Sequence, residues 1–149
     1  MKKSIILLLL LVTSGCTISK SVTPVDSSVS IQKIYVQNNE EVLMKEAVNE
    51  IVSQVQSLGF ESESYSGQRP IDATHYITYT GNWRWDVAMY LYYFEAKLYE
   101  NDKLIGEVEY DAKLGGSSLS KFGKTGDKIR PLLNELLSQV QRPDGSKLP

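Results

Sequence analysis

Residues 83–112, WRWDVAMYLYYFEAKLYENDKLIGEVEYDA, decide the fold. Two runs rich in aromatic and β-branched residues flank a polar Asn101-Asp102 pair, a pattern typical of a β-hairpin. A three-residue loop at 101–103 pairs Glu100 with Leu104 and then sets apolar residues opposite each other: Leu98 with Gly106, Ala96 with Val108 and Phe94 with Tyr110. A two-residue loop sets Ala96 opposite Glu107, because a one-residue slip moves every side chain to the other face. We therefore expect the first register.

The chain before this hairpin predicts three more strands and a helix. Strands are expected at Ile31–Val36, at Phe60–Tyr65 and at 75–80, with a turn at Gly81-Asn82. Between the first two, Asn38 and Glu41 have the spacing of a capping box. The apolar positions that follow recur in steps of three and four, as on one face of a helix ending at Gly59: Met44, Val48, Ile51, Val55 and Leu58.

A second helix is predicted after the hairpin. Its apolar stripe consists of Phe122, Ile129, Leu132, Leu133, Leu136 and Val140. Pro131 lies inside this span and either kinks the helix or marks the first turn of its second half. The order is β-α-β-β-β-β-α, with room for one more short strand. This order predicts an α+β fold with an antiparallel sheet of four or five strands and both helices packed on one face.

In the first strand of the hairpin, apolar residues occupy both alternating sets of positions, so that both faces of the strand are apolar. Ala88, Tyr90, Tyr92 and Phe94 alternate with another apolar set. Because two helices cover only one sheet face, the second face is either covered by the 61–74 loop or the N-terminal segment, or exposed for interaction. Trp83 shares the parity of the second set, and together they form the candidate partner surface: Trp83, Trp85, Val87, Met89, Leu91 and Tyr93.

Composition and charge exclude some functional classes. The formal charge is −2, and loss of Lys2 and Lys3 with a cleaved leader takes it to −4. Such a chain lacks the basic footprint expected of a nucleic-acid-binding protein. One cysteine, Cys16, rules out an intrachain disulfide and a cysteine-based zinc site.

The first 16 residues have the pattern of a secretory signal. Lys2 and Lys3 precede the uncharged run Ile5–Val12, and Thr13-Ser14-Gly15 leads to Cys16. A membrane-spanning helix needs about 20 apolar residues, which this run does not reach. Small-Gly-Cys after a leucine run resembles the lipobox of bacterial lipoproteins, although Thr13 stands where Leu, Val or Ile is usual. The alternative is an ordinary signal peptide with an incidental cysteine.

The lipobox interpretation divides the chain into four parts. Residues 1–15 are the signal peptide, 16–30 a lipidated flexible tether rich in Ser and Thr, 31–141 a single α+β domain and 142–149 a disordered tail. Acyl chains on Cys16 would anchor the protein to a membrane. Thr17 follows where Asp favours inner-membrane retention in sorted lipoproteins. By that resemblance we expect the periplasmic face of the outer membrane of a Gram-negative bacterium.

Candidate catalytic groups are few, and each has an alternative structural role. His75, the only histidine, has Asp72 as its nearest acid in the sequence, but its position favours a strand histidine with a hydrogen-bonded ring over acid–base catalysis. Glu107, Glu109 and Asp111 share a strand face, where they could bind cations or hydrolyse glycosides, or form a solvated face with Lys97. The run Gly115-Gly116-Ser117-Ser118 could offer backbone N–H groups to an anion or act as a turn and cap. We predict neither cofactor nor metal site.

Several motifs resemble the Sbal family of uncharacterised proteobacterial lipoproteins. They are the Trp83-Arg84-Trp85-Asp86 core, Tyr110-Asp111, Gly115-Gly116 and Lys121-Phe122, and the likeness includes the signal and Cys16. Family members often carry a cysteine near position 74, where this chain has Thr74. The resemblance implies a periplasm-facing lipoprotein without an assigned activity.

Three functional hypotheses follow. The first is a non-enzymatic envelope lipoprotein that binds a protein, or itself, through the aromatic sheet face. The second is a small-ligand-binding or hydrolytic domain that uses Asp86, Glu107, Glu109 or His75. The third is an accessory factor in outer-membrane assembly, which rests on fold analogy alone.

Overall fold

The computed structural model describes residues 18–116 and 118–146, so the signal peptide expected at 1–15 and Cys16 lie outside the described residues. The α+β class is confirmed. Within the described residues six strands and two helices follow in chain order: β1 (Ser19–Thr23), β2 (Lys33–Gln37), α1 (Glu46–Ser57), β3 (Glu61–Tyr65), β4 (His75–Asp86), β5 (Ala88–Glu100), β6 (Lys103–Asp111) and α2 (Thr125–Leu137). A 3-10 turn, Leu119–Lys121, lies between β6 and α2.

The strands form one mixed sheet in the order β1-β6-β5-β4-β2-β3. β2 runs parallel to both β3 and β4, and the other neighbours are antiparallel. The expected antiparallel sheet of four or five strands is therefore wrong in both respects. The physical reason for the parallel pair is that α1 carries the chain across the sheet between β2 and β3, so β3 starts at the same end as β2.

The extra strand lies in the segment that was expected to be a flexible tether. β1 pairs with β6 along its whole length, from Ser19 opposite Asp111 to Thr23 opposite Glu107. Val25 follows, fully buried, and its N–H donates to the carbonyl of Leu136 at 2.9 Å. The tether prediction is wrong for residues 19–25. An edge strand with the sequence SKSVT lacks the apolar alternation by which strands are found in sequence.

The C-terminal prediction also needs correction. Residues 142–146 of the expected disordered tail pack on the domain, where Arg142 Nε donates to the carbonyl of Leu58 at 2.9 Å. The N–H of Arg142 bonds the carbonyl of Ser146 at 3.0 Å. Residues 147–149 lie outside the described part of the chain.

The β5–β6 register is confirmed, but its turn differs. Phe94, Ala96 and Leu98 lie opposite Tyr110, Val108 and Gly106 as predicted. Glu100, however, pairs with Lys103, and the turn is formed by two residues of positive φ, Asn101 (46°) and Asp102 (68°). A register shift between Leu98 and Tyr99 absorbs the difference. The extra residue of this β-bulge offsets a loop that is one residue shorter than predicted, so the apolar pairs beyond the bulge are the predicted ones.

The β4–β5 hairpin turns five residues later than expected. β4 continues through Gly81 and Asn82 to Asp86, and the turn is made at Val87, whose φ is 60°. Gly81 serves packing instead: a Cβ there would lie 2.8 Å from two atoms of the Trp83 ring. The register shifts between Asn82 and Trp83. The Gly-Asn pair thus marks an irregularity inside a long strand, not its end.

Both helices share one core with the sheet. The apolar stripes contribute Val48, Ile51, Val55, Ile129, Leu132, Leu133 and Leu136, packed with Ile34, Ile77, Phe94 and Leu98. Gly59 ends α1 with a φ of 92°, as predicted. The helix begins at Glu46 and not at the expected cap, and the N–H of Asn38 donates to the carbonyl of Tyr65 at 2.7 Å.

The second sheet face is partly covered by the loop between β3 and β4. Tyr35, Ala73 and Tyr76 form a small buried cluster with Tyr65 and Tyr99 against it. The Tyr35 hydroxyl donates to Asp72 at 2.6 Å, which raises the pKa of Tyr35 and lowers that of the carboxyl group. The Arg69 guanidinium lies 4.5 Å from the centre of the Tyr76 ring. The loop therefore covers the sheet end near the β5–β6 turn and leaves Trp85, Val87 and Met89 of the predicted surface exposed.

Candidate interaction surface

The tip of the β4–β5 hairpin exposes three large apolar side chains. Trp85 is 72% exposed, Val87 86% and Met89 43%. Trp85 and Met89 lie directly opposite each other, two residues beyond the pair formed by Trp83 and Leu91. Because alternate residues of a strand share a face, Trp85 and Met89 continue the core face of the sheet past the point where α2 begins.

The other predicted surface residues are packed. Leu91 is 1% exposed and belongs to the core. Trp83 lies against that core and donates from Nε1 to the Thr125 hydroxyl, at the start of α2, at 3.0 Å. Tyr93 donates to Glu109 at 3.1 Å, and desolvation followed by this bond raises its pKa to about 12. The structure therefore brings Trp85, Val87 and Met89 together at the surface and assigns Trp83, Leu91 and Tyr93 to structural packing.

A buried lysine joins the hairpin tip to the segment after β6. Lys121 is only 5% exposed, and its ammonium group lies 2.6 Å from both Asp86 Oδ2 and the Gly116 carbonyl. The same group lies 5.1 Å from the centre of the Tyr90 ring, which packs edge-on against Phe122. The sequence singled out Lys121 only as part of the Lys121-Phe122 motif and did not predict its burial, since lysine is rarely buried unless it is paired.

The segment that Lys121 holds in place adds two exposed leucines. Leu114 is 76% exposed, and Leu119, two residues before Lys121, is 81% exposed. We call the five residues Trp85, Val87, Met89, Leu114 and Leu119 the tip surface. Sequence reasoning missed both leucines because neither lies in a periodic apolar pattern.

The tip surface is flanked by positive charge. The Arg84 guanidinium lies 3.6 Å from the centre of the Tyr92 ring, and Lys113 lies 4.3 Å from that of Tyr93. The Lys128 ammonium donates to the Ser120 carbonyl, and desolvation followed by repulsion from Lys20 lowers its pKa. The stems of these side chains cover apolar surface, and Lys113 also pairs with Asp111 at 3.0 Å.

The predicted catalytic groups are dispersed or paired. His75 is buried, and its Nε2 lies 3.2 Å from Glu100. Asp72 lines the same open cavity of about 280 Å³ as His75, but its carboxylate accepts the bond from Tyr35. Asp86 is held by Lys121. None of these contacts joins a nucleophile to a base.

The acidic stripe on β6 is divided among several contacts. Glu109 accepts the hydroxyl of Tyr93, and Asp111 pairs with Lys113 at 3.0 Å. Lys97 faces Glu107 in the register, but its ammonium group pairs with Glu95 at 2.9 Å. Among the described residues no three acidic, histidine or cysteine side chains converge as metal ligands.

The glycine-serine run does not form an anion site at a helix start. Gly116 adopts a φ of 42°, and its carbonyl accepts the Lys121 ammonium. Ser117 lies outside the described residues. A 3-10 turn follows, and α2 starts only at Thr125, so the run acts as a turn that positions Lys121.

No family model matches the chain, and no curated protein matches it. The fold resembles that of PelC. A PelC dodecamer variant from Paraburkholderia phytofirmans aligns over 85% of this chain and 99% of its own, with a TM-score of 0.55 and 10% sequence identity. A second crystal form of the PelC dodecamer from the same organism gives a TM-score of 0.53 at 9% identity, over 83% and 96% of the two chains. At this identity the likeness concerns the fold alone.

Within residues 18–116 and 118–146, no helix has both the length and the apolar character needed to cross a bilayer.

Proposed function

We propose that this chain is a bacterial lipoprotein, acylated on Cys16 and anchored in the periplasmic leaflet of the outer membrane, whose domain is a non-enzymatic interaction module. The support for anchoring is the basic start, the apolar run Ile5–Val12 and the Ser14-Gly15-Cys16 box. Thr17, in place of Asp, supports the outer membrane as the destination. The resemblance to the Sbal lipoproteins points the same way and remains a prediction.

The observation that carries the interaction role is the joint exposure of Trp85, Val87 and Met89 at the hairpin tip. Of the eight large apolar side chains exposed in the described residues, five belong to the tip surface. Grouped exposure of this kind is uncommon on monomeric soluble proteins and typically marks an interaction site. The hairpin is long, and the pair formed by Lys121 and Asp86 holds it against the adjoining segment. The tip surface is thus presented on a fixed support.

A binding role is favoured over the hydrolytic alternative by the contacts of the candidate groups. Asp86 and Glu109 are each engaged in a contact that stabilises the fold. His75 and Asp72 line an open cavity, yet they bond to different partners. A hydrolase would need such groups within hydrogen-bond reach of one reacting atom.

Self-association is a second candidate function. Its specific support is that the PelC structures, which share the fold, are dodecamers. β1 and β3 are the two edges of the sheet, and edge strands can pair with another copy. Analytical ultracentrifugation of the protein in detergent tests this: a single large species supports it, and a monomer at all concentrations contradicts it.

The anchoring proposal is tested by fractionation of cells that express three variants. Cys16→Ser removes the acylated thiol and should leave the protein out of the outer-membrane fraction. Thr13→Leu, which strengthens the box, is the matched control and should fractionate as the wild type does. Thr17→Asp should move the protein to the inner membrane. Mass spectrometry of the purified wild type measures the acyl chains directly, and unchanged fractionation of Cys16→Ser would refute the proposal.

A further inference from the structure

We infer that the partner of the tip surface is the lipid bilayer: the hairpin tip and the adjoining leucines dip into the membrane surface beside the acyl anchor. This inference rests on the proposed acylation of Cys16. It adds that the domain has one membrane-facing end and a fixed orientation, instead of hanging from a flexible tether.

The position of the N-terminal strand supplies the first argument. Ser19 lies opposite Asp111, which lies opposite Tyr93, and Tyr93 lies opposite Asn82 near the hairpin tip. The start of β1 is therefore at the same end of the sheet as the tip surface. Because β1 is part of the sheet, the chain from residue 19 onward is not free to act as a long spacer.

The distance to the anchor is short. Ile18 Cγ1 lies 3.3 Å from the position that a Cβ on Gly115 would occupy, next to Leu114. Cys16 precedes Ile18 by two residues, and two residues of extended chain reach no more than ~7 Å. Acyl chains on Cys16 therefore bring the bilayer surface close to the segment that carries Leu114 and Leu119.

The side chains at this end suit a lipid interface. Trp85 and Met89 stand side by side, and tryptophan favours the headgroup region of membranes. The basic residues at this end are Lys20 on β1, Arg84 on β4, Lys113 after β6, Lys124 before α2 and Lys128 within it. Asp86 and Asp111 lie at the same end and pair with Lys121 and Lys113. Exposed apolar side chains with several lysine and arginine residues at the same end of the domain are typical of proteins that lie on anionic bilayers.

The opposite end of the sheet is different in charge. β5 spans thirteen residues, so its far end lies about 40 Å from the hairpin tip. Asp72, Glu100 and Asp102 lie there around the β5–β6 turn, together with Lys103 and with Arg69, which pairs with Asp102. Ile71 is fully exposed at that end and provides a matched control position.

The test places an environment-sensitive fluorophore at each end of the acylated, full-length protein. Val87→Cys and Ile71→Cys each give one reactive thiol, because Cys16 carries the lipid, and both positions are exposed enough to leave the fold intact. The purified proteins are reconstituted into vesicles of phosphatidylethanolamine and phosphatidylglycerol. We expect a nitrobenzoxadiazole dye at position 87 to gain several-fold in emission and shift to the blue, and to be quenched by nitroxide-labelled lipid. The dye at position 71 should show neither change.

A double variant checks that the apolar side chains cause the insertion. Trp85→Ser with Met89→Ser should abolish the blue shift at position 87 while the protein remains acylated and folded. Leu104→Ser, at the opposite end and about as exposed as Met89, should leave the signal unchanged. A dye at position 87 as solvent-exposed as the one at position 71 overturns the inference.

Two further outcomes are separable. A photocrosslinker at position 87 in living cells should form adducts with phospholipid, and one defined protein adduct in their place would overturn the membrane inference. If mass spectrometry finds Cys16 without acyl chains, the proposed function itself fails. A protein that is acylated on Cys16 but whose hairpin tip stays solvent-exposed contradicts only the insertion of the tip into the bilayer.

Discussion

Replacement of Val25 by alanine tests whether residues 19–25 belong to the folded domain. Val25 is fully buried, and its Cγ2 lies 2.9 Å from the position a Cβ on Gly106 would take. The substitution removes two methyl groups from the core, and their transfer free energy amounts to about 1.6 kcal/mol. A residual cavity of roughly 50 Å³ adds about 1 kcal/mol. The free energy of unfolding should fall by about 2.5 kcal/mol.

Urea denaturation of the purified protein measures this loss, and thermal melting should show a midpoint lower by roughly 10 °C. Val87→Ala is the matched control, since the same two methyl groups are removed from a side chain that is 86% exposed. Because Val87 is exposed and a β-branched residue is strained at its φ of 60°, this control should lose no more than about 0.5 kcal/mol. If Val25→Ala costs no more than this control, residues 19–25 do not pack in the core, and Cys16 is then not held close to the hairpin tip.

Three further substitutions test other contacts of the fold. Gly106→Ala should cost about 1–3 kcal/mol because its Cβ would lie 2.7 Å from Leu136 Cδ1, and denaturation of the double variant with Val25→Ala should lose less than the sum of the two. The pKa of Asp102 is lowered to about 2, first by Arg69 and then by the Tyr76 hydroxyl, from an ordinary value of 3.8. The wild type should therefore be more stable than Asp102→Asn above pH 3.8, and melting curves should converge as the pH falls towards 2. Asp86→Asn should lower the free energy of unfolding by about 1–2 kcal/mol, because it leaves the buried Lys121 ammonium group without its counter-ion. Lys121→Met removes that ammonium group and should cost less. Equal losses of the two variants in urea denaturation would contradict this.

Local pattern was most informative where one face of an element is buried and the other is not. The stripe from Ile129 to Leu136 predicted α2 correctly, and the pairs of Ala96 with Val108 and Leu98 with Gly106 followed from matching apolar faces. Such periodicity reflects a physical requirement that holds along the whole element. It did not reveal the two-residue turn at Asn101-Asp102, because a bulge can restore the same register.

The hairpin tip was only partly predictable. The alternation that grouped Trp83 to Tyr93 on one surface assumes a regular strand, but the register shifts between Asn82 and Trp83. In addition, Leu91 is a core residue, whereas Met89, two residues away on the same strand, is exposed. The difference is set by where α2 begins, since Thr125 contacts Trp83 and α2 covers the sheet only from there. That boundary depends on contacts between segments more than 40 residues apart.

The hairpin register, the helix stripes and the α+β class were determined by the sequence alone, and so was the hypothesis of an anchor on Cys16. These follow from periodicities of two and 3.6 residues and from a contiguous signal motif. Only the tertiary structure decided that residues 19–23 are a strand, that the chain turns at Val87 and that Lys121 is buried on Asp86. Each of these is stabilised by groups distant in sequence, namely the backbone of β6 and the carboxylate at the hairpin tip. Local sequence pattern does not identify such distant partners, so it did not predict which end of the molecule faces the anchor.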